Sequence, residues 1–180
     1  VSAELRERQG QTIAQRIPEA LPRVVWLDAL PEKLSAVVLG NEVLDAMPVN
    51  LVTKHAGKWQ EQYVAWQHEG FVLQTGEVTD PRLTTRMLAI EEKFGEQFID
   101  GYTTEVNLLA EDWLKSLAHS LQQGLVLLID YGFPCHEFYH PQRSTGTLMC
   151  HYRHHAQPNP FVYPGLQDIT AHVDFSAMAE

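Results

Sequence analysis

Cysteine is scarce: Cys135 and Cys150 are the two in 180 residues, and they form no Cys-x-x-Cys pair. No disulfide framework can be read from them, and two free thiols in a reducing compartment is the simple interpretation. Long apolar runs are absent too, so no membrane span is expected, and no secretory signal is visible. Basic residues are few and scattered. Thirteen Lys and Arg face 23 Asp and Glu, giving a net charge of −10 and a pI near 5.3. Such a chain repels phosphate backbones, which argues against a nucleic-acid partner and suits a cationic ligand or basic peptide better. There is no Gly-x-Ser-x-Gly hydrolase elbow and no phosphate-binding loop. The first residue is Val1 rather than methionine, so the start reads as a cut.

What is present is the patterning of one α/β domain with a sizeable core. Ser2 to Ile17 reads as a helix with Leu5, Ile13 and Ile17 on one face, capped by Ser2 and ended by Pro18 and Pro22. Val24–Trp26 and Ala36–Leu39 are continuous apolar runs, the pattern of strands buried on both faces of a parallel sheet. Val49 to Val78 alternates aromatic and polar residues between glycines, which predicts an antiparallel meander. Asp80-Pro81 opens a helix that Gly95 stops, with Leu83, Met87, Ile90 and Phe94 at helical spacing. A further helix runs from about Leu108 to Gln122, capped by Asn107, with Leu109, Trp113, Leu117 and Leu121 as its buried stripe and Gly124 as its end. Leu125–Ile129 is the strongest strand candidate and leads into Asp130-Tyr131-Gly132. A proline-rich tail follows, with a short strand within Thr147–Tyr152 and a last helix starting near Asp174.

In open α/β sheets ligands bind at the carboxyl ends of the strands. Polar residues just after strands are therefore the first candidates: Asp28, Asn41, Glu42, Asp130 and Tyr131. Asn41, Glu42 and Asp45 could surround one crevice, or Asn41 or Glu42 could cap a short helix while Asp45 meets solvent. His136, His140, His151, His154, His155 and His172 crowd the last third, but no second tight pair completes a metal-ligand pattern, so no metal is expected. Asp168 to Phe175 is dense in donors and acceptors, and can equally be a helix start capped by Thr170 or Asp174.

Five runs recur in order along nearly the whole chain: Ser2 to Gln9, Asn41 to Val49, Leu128 to Gly132, Gly146-Thr147-Leu148 with Tyr152-Arg153-His154, and Pro164-Gly165 with Asp168 to Phe175. Together they resemble the MidA-like family of S-adenosylmethionine-dependent methyltransferases, relatives of the mitochondrial arginine methyltransferase that assists complex I assembly. The resemblance implies a class I, Rossmann-like methyltransferase fold, here incomplete. The family's glycine-rich cofactor loop and its ribose-gripping acid would fall upstream of Val1, so the isolated chain is expected to bind the cofactor poorly and to be inactive.

The same resemblance distributes roles. Ser2 and Leu5 would border the ribose; Trp26, Leu27 and Asp28 would form the adenine pocket; Asn41 and Glu42 would face the methionine end. Residues 51–101 would be an inserted cover over the substrate or a partner surface, between the core parts 1–50 and 102–180, although its aromatics also read as a small core of their own. An arginine substrate would need acids to hold its guanidinium. Glu42 or Asp45, with Asp130 or Asp168, would supply them, and His172 would accept the proton. Tyr131 and Tyr152 would be walls, and Asp168, Thr170 and Asp174 would bind the substrate with them. The implied partner is an arginine-containing protein, with a homodimer also open, in a bacterial cytoplasm or, for a eukaryotic source, the mitochondrial matrix. A non-catalytic binding module on the same fold and a small-molecule methyltransferase stay open beside this reading.

Overall fold

The computed structural model describes residues 2–95 and 98–180. Val1, and residues 96 and 97 of the expected insert, lie outside the described residues. Helix α1 (Ala3–Arg16) starts where its cap dictates: the Ser2 hydroxyl accepts from the Leu5 N–H at 3.1 Å, satisfying one of the donors that a helix start leaves open. A 3-10 turn over Pro18–Arg23 follows.

Val24–Trp26, expected as a strand, is not one. Val25 is 76% exposed, and Trp26 turns back onto α1. Its indole donates to Gln9 at 2.9 Å and its carbonyl accepts from Arg6 at 3.0 Å. Strand preference counts only when a neighbour is there to pair with, and here the ties to α1 replace it.

Strand β1 (Leu34–Asn41) pairs in parallel with the strand Leu121–Ile129, designated β6 below. Between them in sequence comes an antiparallel sheet. Strands β2 (Asn50–His55), β3 (Lys58–Gln67) and β4 (Gly70–Gly76) form the expected meander, and β5 (Thr103–Val106) joins it in the order β4-β3-β2-β5. Helix α2 (Pro81–Phe94) begins at Asp80, whose carboxylate accepts from the Arg82 N–H at 2.8 Å, with Pro81 in the first turn. Its Leu83, Met87 and Ile90 pack with Val52, Phe98, Tyr102 and Val106 on one side of the sheet. Trp59 joins this core, while Trp66 and Phe71 stay outside it.

Helix α3 (Leu108–Ser120) passes directly into β6 (Leu121–Ile129). Leu121 and Gly124 therefore belong to the strand, correcting the expectation that Gly124 ends the helix. Gly124 is needed where β1 comes close: its φ is +144°, and a Cβ there would lie 1.8 Å from the Ala36 carbonyl oxygen. The buried side of α3 also differs from the expected stripe. It runs through Leu108, Ala110, Glu111 and Leu117, while Leu109 is 50% exposed. The Arg86–Glu111 ion pair, 2.9 Å, draws that side toward α2.

Burial of β1 and β6 on both faces is corrected as well. Leu128 packs on Leu44, Ala110 and Trp113, but Val37, Leu39, Leu125, Leu127 and Ile129 are between 47% and 72% exposed. Helix α3 covers one face of this two-stranded pair. The tail supplies β7 (Gly132–Phe133), α4 (Cys135–Phe138), β8 (Met149–Tyr152), β9 (His155–Gln157), β10 (Asp168–Thr170), β11 (Val173–Asp174) and α5 (Phe175–Met178). Strand β8 is central in a three-stranded antiparallel sheet, and β11 runs parallel to β7.

Candidate active site

Strands β1 and β6 end side by side, with Asn41 opposite Ile129. The chain leaves β1 through Glu42 at φ +53°, a left-handed conformation that costs a side-chain-bearing residue roughly 1–2 kcal/mol. Three hydrogen bonds hold it there. The Glu42 N–H donates to the Ile129 carbonyl at 2.8 Å. The Val43 and Leu44 N–H groups donate to Asp130 Oδ2 at 3.0 and 2.8 Å. Asp130 Oδ1 accepts from its neighbour, the Tyr131 N–H, at 3.1 Å. Asp130 is thus the brace of this turn. The sequence placed it correctly at a strand end, but its oxygens face backbone donors.

The turn delivers Glu42 and Asp45 to a cavity of about 1350 Å³. Asp45 is 7% exposed, and its Oδ1 has no hydrogen-bond partner among the described residues. Burial raises the Asp45 pKa above the usual carboxylate value, and the negative charges of Asp130 and Glu42 add to the rise. The Tyr131 hydroxyl is hydrogen-bonded to Glu42, which lifts the phenol above its ordinary value. Opposite this pair, β10 and the residues after it present Asp168, Thr170 and His172 to the same cavity.

His172 packs edge-on against Phe133, ring centroids 5.1 Å apart. Burial, and then the positive charge of Arg143, hold its imidazole below the ordinary histidine value, so it is neutral at pH 7. Its buried Nδ1 has no partner among the described residues.

Other candidates lie elsewhere. Asn41 and Asp130 do not line the cavity. Tyr152 stacks on Tyr163 at 4.7 Å. Asp174 caps α5, accepting from the Ser176 and Ala177 N–H groups at 3.0 and 3.3 Å, and lines a separate cavity of about 20 Å³. Ser2 and Leu5 lie at the start of α1, Trp26 and Asp28 are tied to α1 through Gln9 and, at 3.0 Å, Arg6, and Leu27 between them is exposed. Among the described residues no three His, Cys, Asp or Glu side chains converge as a metal site, and no helix is long and apolar enough to cross a membrane.

Two residues that sequence reasoning passed over shape the cavity. Glu105, 2% exposed on β5, accepts from the Thr147 and Leu148 N–H groups at 2.7 and 2.9 Å and so fixes a stretch of the wall. The only signal was a lone acid inside a short, otherwise uncharged strand. Arg143 lines the cavity with its guanidinium 3.8 Å from the Phe133 ring centre. The proline-rich tail around it gave no periodic signal. The assembled chemistry is a buried acid with a spare acceptor, a second acid poised by a strained turn, and a neutral imidazole. Such a set can hold a planar cation and take up a proton.

The sequence model of the family described as "Putative S-adenosyl-L-methionine-dependent methyltransferase" matches residues 1–180. A crystal structure from Burkholderia thailandensis bound to S-adenosyl-homocysteine is 48% identical and superposes with a TM-score of 0.88, covering 98% of this chain and 44% of that one. A second, native crystal structure from the same organism, of an uncharacterized protein, is also 48% identical, with a TM-score of 0.89 over 99% of this chain and 46% of that one. Among curated proteins, the mitochondrial protein arginine methyltransferase NDUFAF7 homologs of Caenorhabditis elegans and Drosophila melanogaster are each 28% identical. The matches cover 85% and 83% of this chain but 34% and 32% of those proteins, so the chain spans about a third of their length. The α/β architecture is that of these methyltransferases, and the chain belongs to the "Putative S-adenosyl-L-methionine-dependent methyltransferase" family, whose model matches its residues 1–180.

Proposed function

We propose that this chain forms the substrate side of an S-adenosylmethionine-dependent methyltransferase that acts on a protein arginine. The observation that carries the reading is Asp45, a buried carboxylate with an unpartnered oxygen at the cavity, next to Glu42 and across from a neutral His172. The two relatives named as arginine methyltransferases support the choice of substrate.

The donor set fits the cationic end of S-adenosylmethionine. Glu42 offers a carboxylate and Asn41 an exposed amide at the end of β1, while Ser2, Leu5, Trp26, Leu27 and Asp28 would border its ribose and adenine. When bound, the cofactor supplies an electrophilic methyl group on a sulfonium. The rest falls to this chain's side chains. A guanidinium has a pKa above 12, and removing its proton outright at neutral pH costs on the order of 7 kcal/mol. Asp45 Oδ1 and the Glu42 carboxylate would grip the guanidinium in one plane and gather its positive charge on their side. His172 Nδ1 would take the proton as the far nitrogen reacts. The Glu105-anchored wall would keep water out. The 51–101 block would act as cover over this cavity. The enzyme would work in a bacterial cytoplasm or, in a eukaryote, in the mitochondrial matrix.

The test is Glu42→Gln and Asp45→Asn in the protein that carries this sequence. Binding of S-adenosylmethionine by calorimetry and methylarginine formation by mass spectrometry are measured separately. Loss of methylation with binding retained supports the reading for Asp45; unchanged turnover in both variants rejects it.

A further inference from the structure

The meander sheet has two faces, and α2 covers one of them. The other carries Leu51 and Gln62, which are register partners, and Leu73, all three at the cavity wall. Because side chains alternate along a strand, the same face continues outward through Val64 and Trp66 on β3. Their register partners on β4 are Leu73 and Phe71. The result is a two-rung apolar ladder, Val64 opposite Leu73 and Trp66 opposite Phe71. Its members are 63%, 41%, 64% and 44% exposed in that order. The Trp66 and Phe71 rings meet edge to face at 5.0 Å, and Phe71 reaches Phe161 of the tail at 6.0 Å. Among the described residues neither core cluster includes these side chains, and large apolar residues contiguous on a surface mark a contact site.

We propose that this ladder docks the substrate polypeptide: an extended segment whose apolar residues lie on Val64, Trp66 and Phe71 while an adjacent cationic side chain enters the cavity. The proposal rests on the reading of a protein substrate given above. Two observations select this occupant. The ladder is continuous with the cavity wall through Leu73, so a ligand seated on it extends into the cavity without a break. The cavity presents three acids, Glu42, Asp45 and Asp168, against one guanidinium, Arg143, and the chain as a whole carries −10, which complements a cationic segment and opposes a second copy of the same acidic chain.

The experiment measures equilibrium binding and methylation side by side. The probes are fluorescein-labelled octapeptides with a central arginine flanked by Leu and Phe, or by Ser. The proteins are the wild type, Trp66→Ala/Phe71→Ala, and the milder Val64→Thr, which keeps the β-branched side chain; melting temperatures report that each is folded. The expected result is that the wild type binds the apolar-flanked peptide about tenfold more tightly than the serine-flanked one, the scale of an interface aromatic. The double variant should erase that preference and Val64→Thr should reduce it. Equal preference in wild type and variants overturns the proposal. So does a sedimentation experiment in which the wild type is a dimer that the double variant splits, because a second copy would then cover the ladder. If the ladder-dependent preference is seen but no arginine is methylated, the docking surface stands and the arginine reading falls.

Discussion

Glu105 and Thr147 are joined twice across 42 residues of sequence: Oε1 accepts from the Thr147 N–H at 2.7 Å and Oε2 from its hydroxyl at 3.2 Å. The same Thr147 hydroxyl oxygen accepts from the His172 N–H at 3.0 Å. One buried carboxylate therefore sets both a stretch of the cavity wall and the residue that carries the imidazole. Burial raises its pKa, and the hydrogen bonds from Thr147 and Leu148 oppose that rise. Glu105→Ala leaves these half-buried donors without their acceptor and is expected to cost about 1 kcal/mol for each. Glu105→Gln keeps an acceptor for the backbone pair and is expected to cost less. Urea denaturation of both variants checks the ordering; an alanine variant as stable as wild type would sink it.

Gly146 is the tight point of the same clamp. Its φ is +76°, and a Cβ would lie 2.3 Å from Glu105 Oε1. Gly146→Ala should therefore cost more than about 1 kcal/mol, through both the left-handed backbone and the displaced carboxylate. Combined with Glu105→Ala, its effect should shrink, since the clashing oxygen is gone. A double-mutant cycle on melting temperature reads that coupling.

How much of this was legible follows from which interactions are local. Caps at Ser2, Asp80, Asn107 and Asp174 sit next to the helices they start; the first three could be read directly, and Asp174 was one of two candidates with Thr170. The alternation of β3 and β4 was equally plain. The site was partly readable because strand ends collect polar residues: Glu42, Asp45, Tyr131, Asp168, Thr170 and His172 do share one cavity. Sequence could not separate Asp130 from Asp45, two acids in similar positions, because only the folded turn shows that Asp130 accepts from the Val43, Leu44 and Tyr131 N–H groups while Asp45 keeps a buried Oδ1 without a partner among the described residues. Glu105 was invisible for the same reason, since its partners lie 42 and 43 residues away. Val24–Trp26 misled because apolar content says a segment wants burial, not which partner supplies it.

His172 gives the cavity a pH dependence. Its folded pKa lies below the ordinary 6.5, through burial and then Arg143, so the folded state binds fewer protons than the unfolded. The corresponding stability is complete above pH 6.5 and is lost as pH falls through the folded value. His172→Gln should flatten that acid limb in a series of melting curves from pH 7.5 to 5. Arg143→Met should shift the imidazole titration upward, seen by NMR of the His172 ring.

Asp45 has the opposite sign. Its folded pKa is raised above 3.8, first by burial and then by Asp130 and Glu42, so the folded state binds protons more tightly than the unfolded. Its charge therefore costs stability at pH 7, a cost that appears as pH rises through the window above 3.8 and is absent below it. Asp45→Asn removes the charge but keeps an oxygen acceptor. The variant is expected to be more stable than wild type at pH 7, by about 0.5–2 kcal/mol, the range common for relieving a strained functional site. That advantage should vanish near pH 3.5. Methyl transfer by the intact enzyme should at the same time fall roughly 100-fold, as when one preorganised polar contact is lost from an active site. Both halves are needed. A variant that is more stable and still fully active would mean that the unpartnered oxygen of Asp45 is a tolerated defect. A variant less stable at pH 7 would mean that the carboxylate holds the Glu42 turn in place, as Asp130 does.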